Sequence, residues 1–328
     1  MQRSLFLIAI LALSIVGCSS SPETNSATGG ATTKKLRIGF IPKGSTHEFW
    51  KAMQAGAEGA AAANDVELIW KGPQKEDDKA DQIKVVENFT NQKVDGIIMA
   101  PLDEEALKTP SKEAIAKGIK MIIVDSGLKD VETESFIATD NEKAGYMGGE
   151  RLAKALGGKG KVIMLRYAEG SASTMAREKG FLDAAKKGGL EVVSDEQHGG
   201  ATRESAQTAS ENLLTRFKAG EGLSIQGIFC PNESTAFGMM KALQNGKLTS
   251  KVKFVGFDSS KELLEAVTSG EIEGLVLQNP TNMGKLAVEN MVKVLKGGTI
   301  EKRIDTGAIL VDKANMESDE VKALLGKK

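Results

Sequence analysis

Along the chain, short unbroken apolar runs alternate with longer stretches in which apolar residues recur every three or four positions. The runs read LRIGFI, VELIW, VDGIIMA, IKMIIVD, SFIAT, KVIMLRY, LEVVS, IQGIFC, KVKFVGFD, IEGLVLQ and AILV. Most are too continuous for strands with one wet face, so they predict strands buried on both faces of a parallel sheet. Between the runs, Phe49, Met53, Ala57, Ala60 and Ala61 share one face of a helix. Ala144, Met147, Leu152 and Leu156 make a second such face, and Leu286, Val288, Met291, Val292 and Leu295 a third. Gly118 and Gly158 follow helical segments, where a C-cap favours a left-handed residue. Strand–helix alternation of this kind predicts right-handed βαβ units wound on both sides of a sheet.

The pattern repeats in two similar halves, residues 36–139 and 140–278. One helix and one strand remain after Gln278, too little for a third domain, so they must join sheets already built. The reading is an α/β fold with two similar doubly wound parallel-sheet lobes joined by a multi-strand hinge. The N-terminal lobe is expected to comprise residues 36–139 plus 279–307, and the C-terminal lobe 140–278 plus 308–328. Crossings are expected at Thr139–Asp140, Gln278–Asn279 and near Thr306–Ala308. The closing ESDEVKALLGKK is either a short helix docked on a lobe or a frayed tail.

The first residues have a different composition. Arg3 gives a positive n-region and Leu5 to Val16 an apolar h-region too short to span a bilayer, so residues 1–17 read as a signal peptide. Gly17–Cys18 resembles the lipobox of bacterial lipoproteins, with Cys18 the acylated residue. Residues 18–35 are rich in Ser, Thr and Gly and read as a lipid-anchored flexible tether. Apart from Cys18 there is one cysteine, Cys230, inside an apolar run, so no intramolecular disulfide is expected. Lysine and arginine total 43 against 44 acidic residues, which leaves no basic excess for nucleic acid.

In open α/β sheets, ligands sit beyond the carboxyl ends of the strands. After LRIGFI come Lys43, His47, Phe49 and Trp50; after IKMIIV come Asp125 and Ser126. After KVIMLRY come Glu169 and Arg177, after IQGIFCP comes Asn232, after KVKFVGF comes Asp258, and IEGLVL ends in Gln278. Carboxylates accept hydroxyl hydrogen bonds, guanidinium donates in a planar fork, and carboxamides do both. Aromatic faces stack on the C–H face of a sugar ring. The set suits a polyhydroxylated ligand. Each residue also has a plainer role open to it. Phe49 could pack with Met53, whereas Trp50 points elsewhere, toward a cleft. His47 could lie on the surface, and Asp258 could cap the helix beginning near SSKELL. Arg177 could pair with Glu178 or Asp183.

On the segments GFIPKGSTHEFW, DGIIMAPLD, IIVDSG, FIATDNEKAGYMGGE, GSASTMAREKGF, IFCPNESTAFGMMKAL, VGFDSS and VLQNPTNMG, the chain resembles the periplasmic sugar-binding proteins of the ribose/galactose type. These are the solute receptors of ABC importers, in the type I periplasmic binding protein superfamily. The resemblance implies that Phe49 and Trp50 sandwich a sugar and that Asp125, Arg177, Asn232, Asp258 and Gln278 hydrogen-bond its hydroxyls. It implies hinge closure on a monosaccharide, delivery to an ABC permease, a monomer, and no cofactor. The chain departs from the ribose branch at Lys43 (usually Ser), His47 (usually Asn), Ser126 (usually Arg) and Ala201 (usually aromatic). The IPK segment is instead similar to the rhamnose and autoinducer-2 receptors, and a cation facing the cleft would favour an extra ligand oxygen or an anion.

Three rivals bear on this reading. A receptor feeding a chemoreceptor or histidine kinase would bind its ligand in the same way. A transcription repressor's effector domain would need a helix-turn-helix where the signal segment stands. An enzyme is disfavoured: G-x-S-x-G is absent, GGKGK at 157–161 lacks P-loop spacing, and the two histidines are far apart.

Overall fold

The computed structural model describes residues 35–326. The signal segment, Cys18 and the tether lie outside the described residues. The first half runs β1 (Arg37–Ile41), α1 (Glu48–Ala63), β2 (Glu67–Trp70), α2 (Lys79–Asn91), β3 (Gly96–Met99), α3 (Lys108–Ala116), β4 (Lys120–Val124) and β5 (Ser135–Ala138). The second runs α4 (Asn141–Ala155), β6 (Lys161–Met164), α5 (Ala172–Lys187), β7 (Glu191–Ser194), α6 (Arg203–Arg216), the small hairpin β8 (Lys218–Ala219) and β9 (Gly222–Leu223), β10 (Gly227–Phe229), α7 (Glu233–Asn245), β11 (Lys253–Phe257), α8 (Lys261–Ser269) and β12 (Gly274–Gln278). The chain ends with α9 (Pro280–Leu295), β13 (Arg303–Asp305), β14 (Ala308–Val311) and α10 (Asp319–Leu324).

Two six-stranded sheets have the orders β13-β5-β4-β3-β1-β2 and β14-β12-β11-β10-β6-β7. The orders superimpose strand for strand, so β4 corresponds to β11 and β5 to β12. All eleven apolar runs form strands. The low-polarity stretch is missing from β13 and from the hairpin, which the hydrophobic pattern does not reveal. Each sheet is covered on both faces. Phe40, Met53, Met283 and Val288 pack on one face of the first sheet, and Val85, Phe89, Ile97 and Met121 on the other. The second sheet is covered in the same way. Burial on both faces explains why the strand runs are continuous rather than alternating.

One edge differs from the all-parallel expectation. The strand β14 pairs antiparallel with β12, whereas β13 pairs parallel with β5. The reason is geometric. Strands of both sheets point their carboxyl ends at the same gap. A chain that leaves the first sheet at that end and passes through Thr306–Gly307 enters the second sheet from its carboxyl edge, so it must run backwards. The chain passes between the sheets at two other places, from β5 into α4 and from β12 into α9.

Helix contacts place the site. In α4, a Cβ on Gly145 would lie 1.9 Å from the carbonyl oxygen of Arg177, so the bare backbone lets α5 approach. In α1, Gly56 does the same for α9: its Cβ would meet the Thr281 carbonyl oxygen at 2.0 Å. The helix α10 uses Ser318 as its N-cap, its hydroxyl oxygen accepting from the Val321 N–H, and Val321 is buried. The segment is therefore a docked helix. Among the described residues, no helix is long and apolar enough to cross a membrane.

Candidate functional site

Asp125 follows β4 and Asp258 follows β11, the counterpart strand. Both take left-handed backbone, φ 59° and 62°, which is uncommon for a residue with a Cβ. Both are held there by the same bond: Asp125 N–H donates to the Ile137 carbonyl (3.1 Å) and Asp258 N–H to that of Val276 (2.8 Å), each on the next strand. The turn aims both carboxylates into the gap. Arg177 lies between them, its Nη2 3.9 Å from Asp125 Oδ1 and its Nη1 3.8 Å from Asp258 Oδ2. Its Nε donates to Asn141 Oδ1 (2.8 Å), its Nη1 to the Pro231 carbonyl (3.0 Å), and the guanidinium sits 4.0 Å above the Phe257 ring. Arg177 therefore pairs with neither Glu178, which meets Arg166, nor Asp183, which meets Lys179.

Asp258 is not a helix cap. Ser260 caps α8, and Asp258 instead accepts from the Glu233 N–H (3.2 Å) and from Gln278 Nε2 (2.8 Å). Burial raises its pKa to about 6, against the opposing pull of Arg177. Gln278 Oε1 is buried without a hydrogen-bond partner, an acceptor left over for something else. The capping role belongs to Asn232: its side chain accepts from the Thr235 N–H (3.3 Å) and Thr235 hydroxyl (2.6 Å), closing a capping box at α7.

Lys43 does not face the gap as an unpaired cation. Its Nζ lies 3.2 Å from Asp125 Oδ2 and donates to Ser171 Oγ (3.1 Å) and Ser173 Oγ (3.0 Å). Pairing with Asp125 removes the net positive charge that the sequence suggested for an anionic ligand. Ser126 does not line the cavity. Its hydroxyl accepts from the Ser173 N–H (3.0 Å), a contact from one half to the other.

His47, Phe49 and Trp50 are all buried. Phe49 and Trp50 meet edge to face, with centroids 4.8 Å apart. The sequence reading missed what anchors this wall, Glu76. Its Oε1 takes His47 Nδ1 (2.6 Å) and Trp50 Nε1 (2.5 Å), and its Oε2 takes the Tyr167 hydroxyl (2.7 Å). Burial works against charge on both members of the His47–Glu76 pair, but their mutual attraction outweighs it. His47 is raised to about 9 and Glu76 lowered to about 2. Burial and the adjacent Glu76 charge hold the Tyr167 hydroxyl protonated. Glu76 lies in a polar loop, KGPQKEDD, where one acidic residue among several gives no signal. Tyr167 ends the run KVIMLRY and was passed over for Glu169, which is exposed. Ala201 is buried and lines no part of the cavity.

Nine of the eleven residues picked from strand ends line one cavity, all but Ser126 and Glu169, with Glu76, Tyr167, Ser173 and Thr174 completing it. The walls close on only about 30 Å³. A cavity of about 150 Å³ is what accepts a benzene ring, so a ring with hydroxyls enters only if the walls part. The lining offers carboxylates, a guanidinium, an ammonium, an imidazolium, carboxamides and the aromatic side chains of Phe49, Trp50 and Tyr167. Formal charges of Lys43, His47 and Arg177 balance those of Glu76, Asp125 and Asp258, so the set favours a neutral ligand rich in hydroxyls.

Residues 38–299 match the family of the periplasmic binding protein domain. The chain is 28% identical over 307 residues to the ribose import binding protein RbsB of Bacillus subtilis (strain 168), covering 93% of this chain and 97% of that one. It is 30% identical over 268 residues to the D-allose-binding periplasmic protein of Escherichia coli (strain K12), covering 79% and 85%. The crystal structure of a carbohydrate transporter solute binding protein from Agrobacterium radiobacter, in complex with D-arabinose, superimposes with a TM-score of 0.84 at 34% identity, covering 89% of this chain and 99% of that one. The shared architecture and the match over most of the length make one conclusion plain: this chain belongs to the periplasmic binding protein family, in its type I form.

Proposed function

We propose that the chain is the solute receptor of an ABC-type sugar importer, and that it binds a neutral monosaccharide or polyol between its two lobes. The observation that carries this is the meeting of Arg177, Asp258 and Gln278 from the second half with Lys43, His47, Phe49, Trp50, Glu76 and Asp125 from the first around one buried cavity. The walls offer charged and carboxamide partners to a ligand's hydroxyls, and a wrong epimer would leave such buried groups unpaired. The relatives named for ribose and D-allose, and the D-arabinose complex, support the ligand class.

The mechanism is closure about the three crossings at Thr139–Asp140, Gln278–Asn279 and Thr306–Gly307. The ligand enters an open form and stabilises the closed one by its higher affinity for it. Contacts already present between the halves, Lys43 with Ser171 and Ser173 and Tyr167 with Glu76, are available only when closed. The closed receptor, a monomer, hands its cargo to a permease. Acylated Cys18 tethers it to a membrane, which raises its effective concentration at that partner.

Titration calorimetry with D-ribose, D-allose, D-arabinose, D-fucose and xylitol tests the reading. Micromolar or tighter binding of at least one is expected. Absence of binding to every neutral sugar and polyol would overturn it.

A further inference from the structure

Beside the enclosed cavity lies a second one of about 360 Å³, and the two share Phe49, Asp258 and Gln278. Its remaining walls come from both halves and from the chain's end: Ala52 of α1, Lys261 and Leu264 at α8, Thr281 of α9, and Leu324 and Leu325 at α10. The enclosed cavity, at about 30 Å³, admits a single ring only when its walls part and has no room for a second. The second is large enough for another.

Three observations specify what it would hold. Gln278, buried to 4% exposure, borders both cavities and has a carbonyl oxygen with no partner among the described residues. It needs a donor, which a hydroxyl supplies and an anion does not. Lys261, exposed at the start of α8, places an ammonium donor on the facing wall. Leu264, Leu277, Leu324 and Phe49 provide apolar surface against which the C–H face of a ring can lie.

We infer that this second cavity is a binding subsite for a hydroxylated substituent on the sugar, so that the receptor takes glycosides or disaccharides as well as the free monosaccharide. The inference rests on the sugar-receptor reading above and extends its ligand class. Gln278 and Asp258 would hold the junction, with the first ring against Trp50 and Arg177 and the substituent against Leu264 and α10. The placement gives α10 a purpose: it closes one side of the subsite.

The test pairs each free sugar (D-ribose, D-allose, D-arabinose, D-fucose) with its methyl and 4-nitrophenyl glycosides in titration calorimetry. Ala52→Trp and Thr281→Trp fill the second cavity without touching the first, and thermal melts check that each variant folds. The expected result is that at least one glycoside binds wild type within tenfold of its free sugar. Each folded variant should then bind the free sugar within twofold of wild type and the glycoside at least tenfold more weakly. If free sugars bind and no glycoside does, or if both variants bind the glycoside as wild type does, the subsite is refuted while the receptor reading stands. If no ligand of either kind binds, both fail.

Discussion

Asp125 and Asp258 are counterparts in the two halves, each in left-handed backbone directly after its strand, and together they bracket Arg177 at 3.9 and 3.8 Å. Left-handed backbone costs a residue with a Cβ about 1 kcal/mol, and the bond to the next strand holds it in place. A comparison of Asp258→Gly with Asp258→Ala isolates that cost, since both lose the same carboxylate. The glycine variant is expected to be more stable by about 1 kcal/mol in urea unfolding, and equal stabilities would remove the strain.

Arg177 supplies the counter-charge to two buried carboxylates. Asp125 keeps Lys43 at 3.2 Å, but the loss of Arg177 leaves Asp258 without a cation, and breaking a buried pair costs about 3–5 kcal/mol. Arg177→Ala should therefore lower unfolding free energy by that order and weaken sugar binding by more than a hundredfold in calorimetry. Arg177→Lys keeps the charge and loses the planar fork. It should recover part of the stability and little of the affinity. Wild-type affinity in both variants would take Arg177 out of the site.

The His47–Glu76 pair sets a pH window. His47 is raised from 6.5 to about 9, so its contribution is complete below pH 6.5 and is lost as pH rises through 9. Glu76 is lowered from 4.5 to about 2, so its contribution is present above pH 4.5 and is lost as pH falls through 2. Asp258 runs the other way to Glu76: raised from 3.8 to about 6, it disfavours the fold as pH rises through 6. Denaturation of wild type between pH 6.5 and 9 should show falling stability. In Glu76→Gln the main cause of the raised His47 value is gone, with only Glu233 and Asp258 left to raise it, and that alkaline limb should shrink sharply. Its persistence at full size would show that another group produces it.

Gly145 lets α5 approach α4 at the turn that carries Arg177. Overpacking a tight contact costs about 1–3 kcal/mol, and here the atom displaced is the Arg177 carbonyl oxygen itself. Gly145→Ala should destabilise by that amount and also weaken ligand binding, whereas Gly59→Ala, whose added methyl meets open space, should do neither. A Gly145→Ala protein with wild-type affinity would separate the helix contact from the site.

The proposed anchor depends on one sulfur. Cys18→Ala should move the receptor from the membrane fraction to the soluble one on cell fractionation, with sugar affinity unchanged. Continued attachment would mean that something other than acylation holds it.

Much of this protein could be read from periodicity. Burial on both faces makes strands continuous, and parallel sheets put ligand groups at the carboxyl ends, so the eleven apolar runs and the residues after them could be found by position alone. Asp125, Arg177, Asp258 and Gln278 were legible for that reason, and a lone Asn before a helix, Asn232, was legible as a strand-end residue but not as a cap. What the sequence could not fix were relations across the gap. Glu76 sits in a loop with no period to mark it, and its meaning lies in partners from distant parts of the chain, His47, Trp50 and Tyr167. Lys43 read as a cation facing a ligand until Asp125 and two serines from the opposite half neutralised it. The backward run of β14 follows from two carboxyl edges meeting, which no local pattern records. Local pattern decides which face a residue buries. Charge balance, pairing and cavity size depend on atoms far apart in sequence, and only the folded chain brings them within hydrogen-bonding distance.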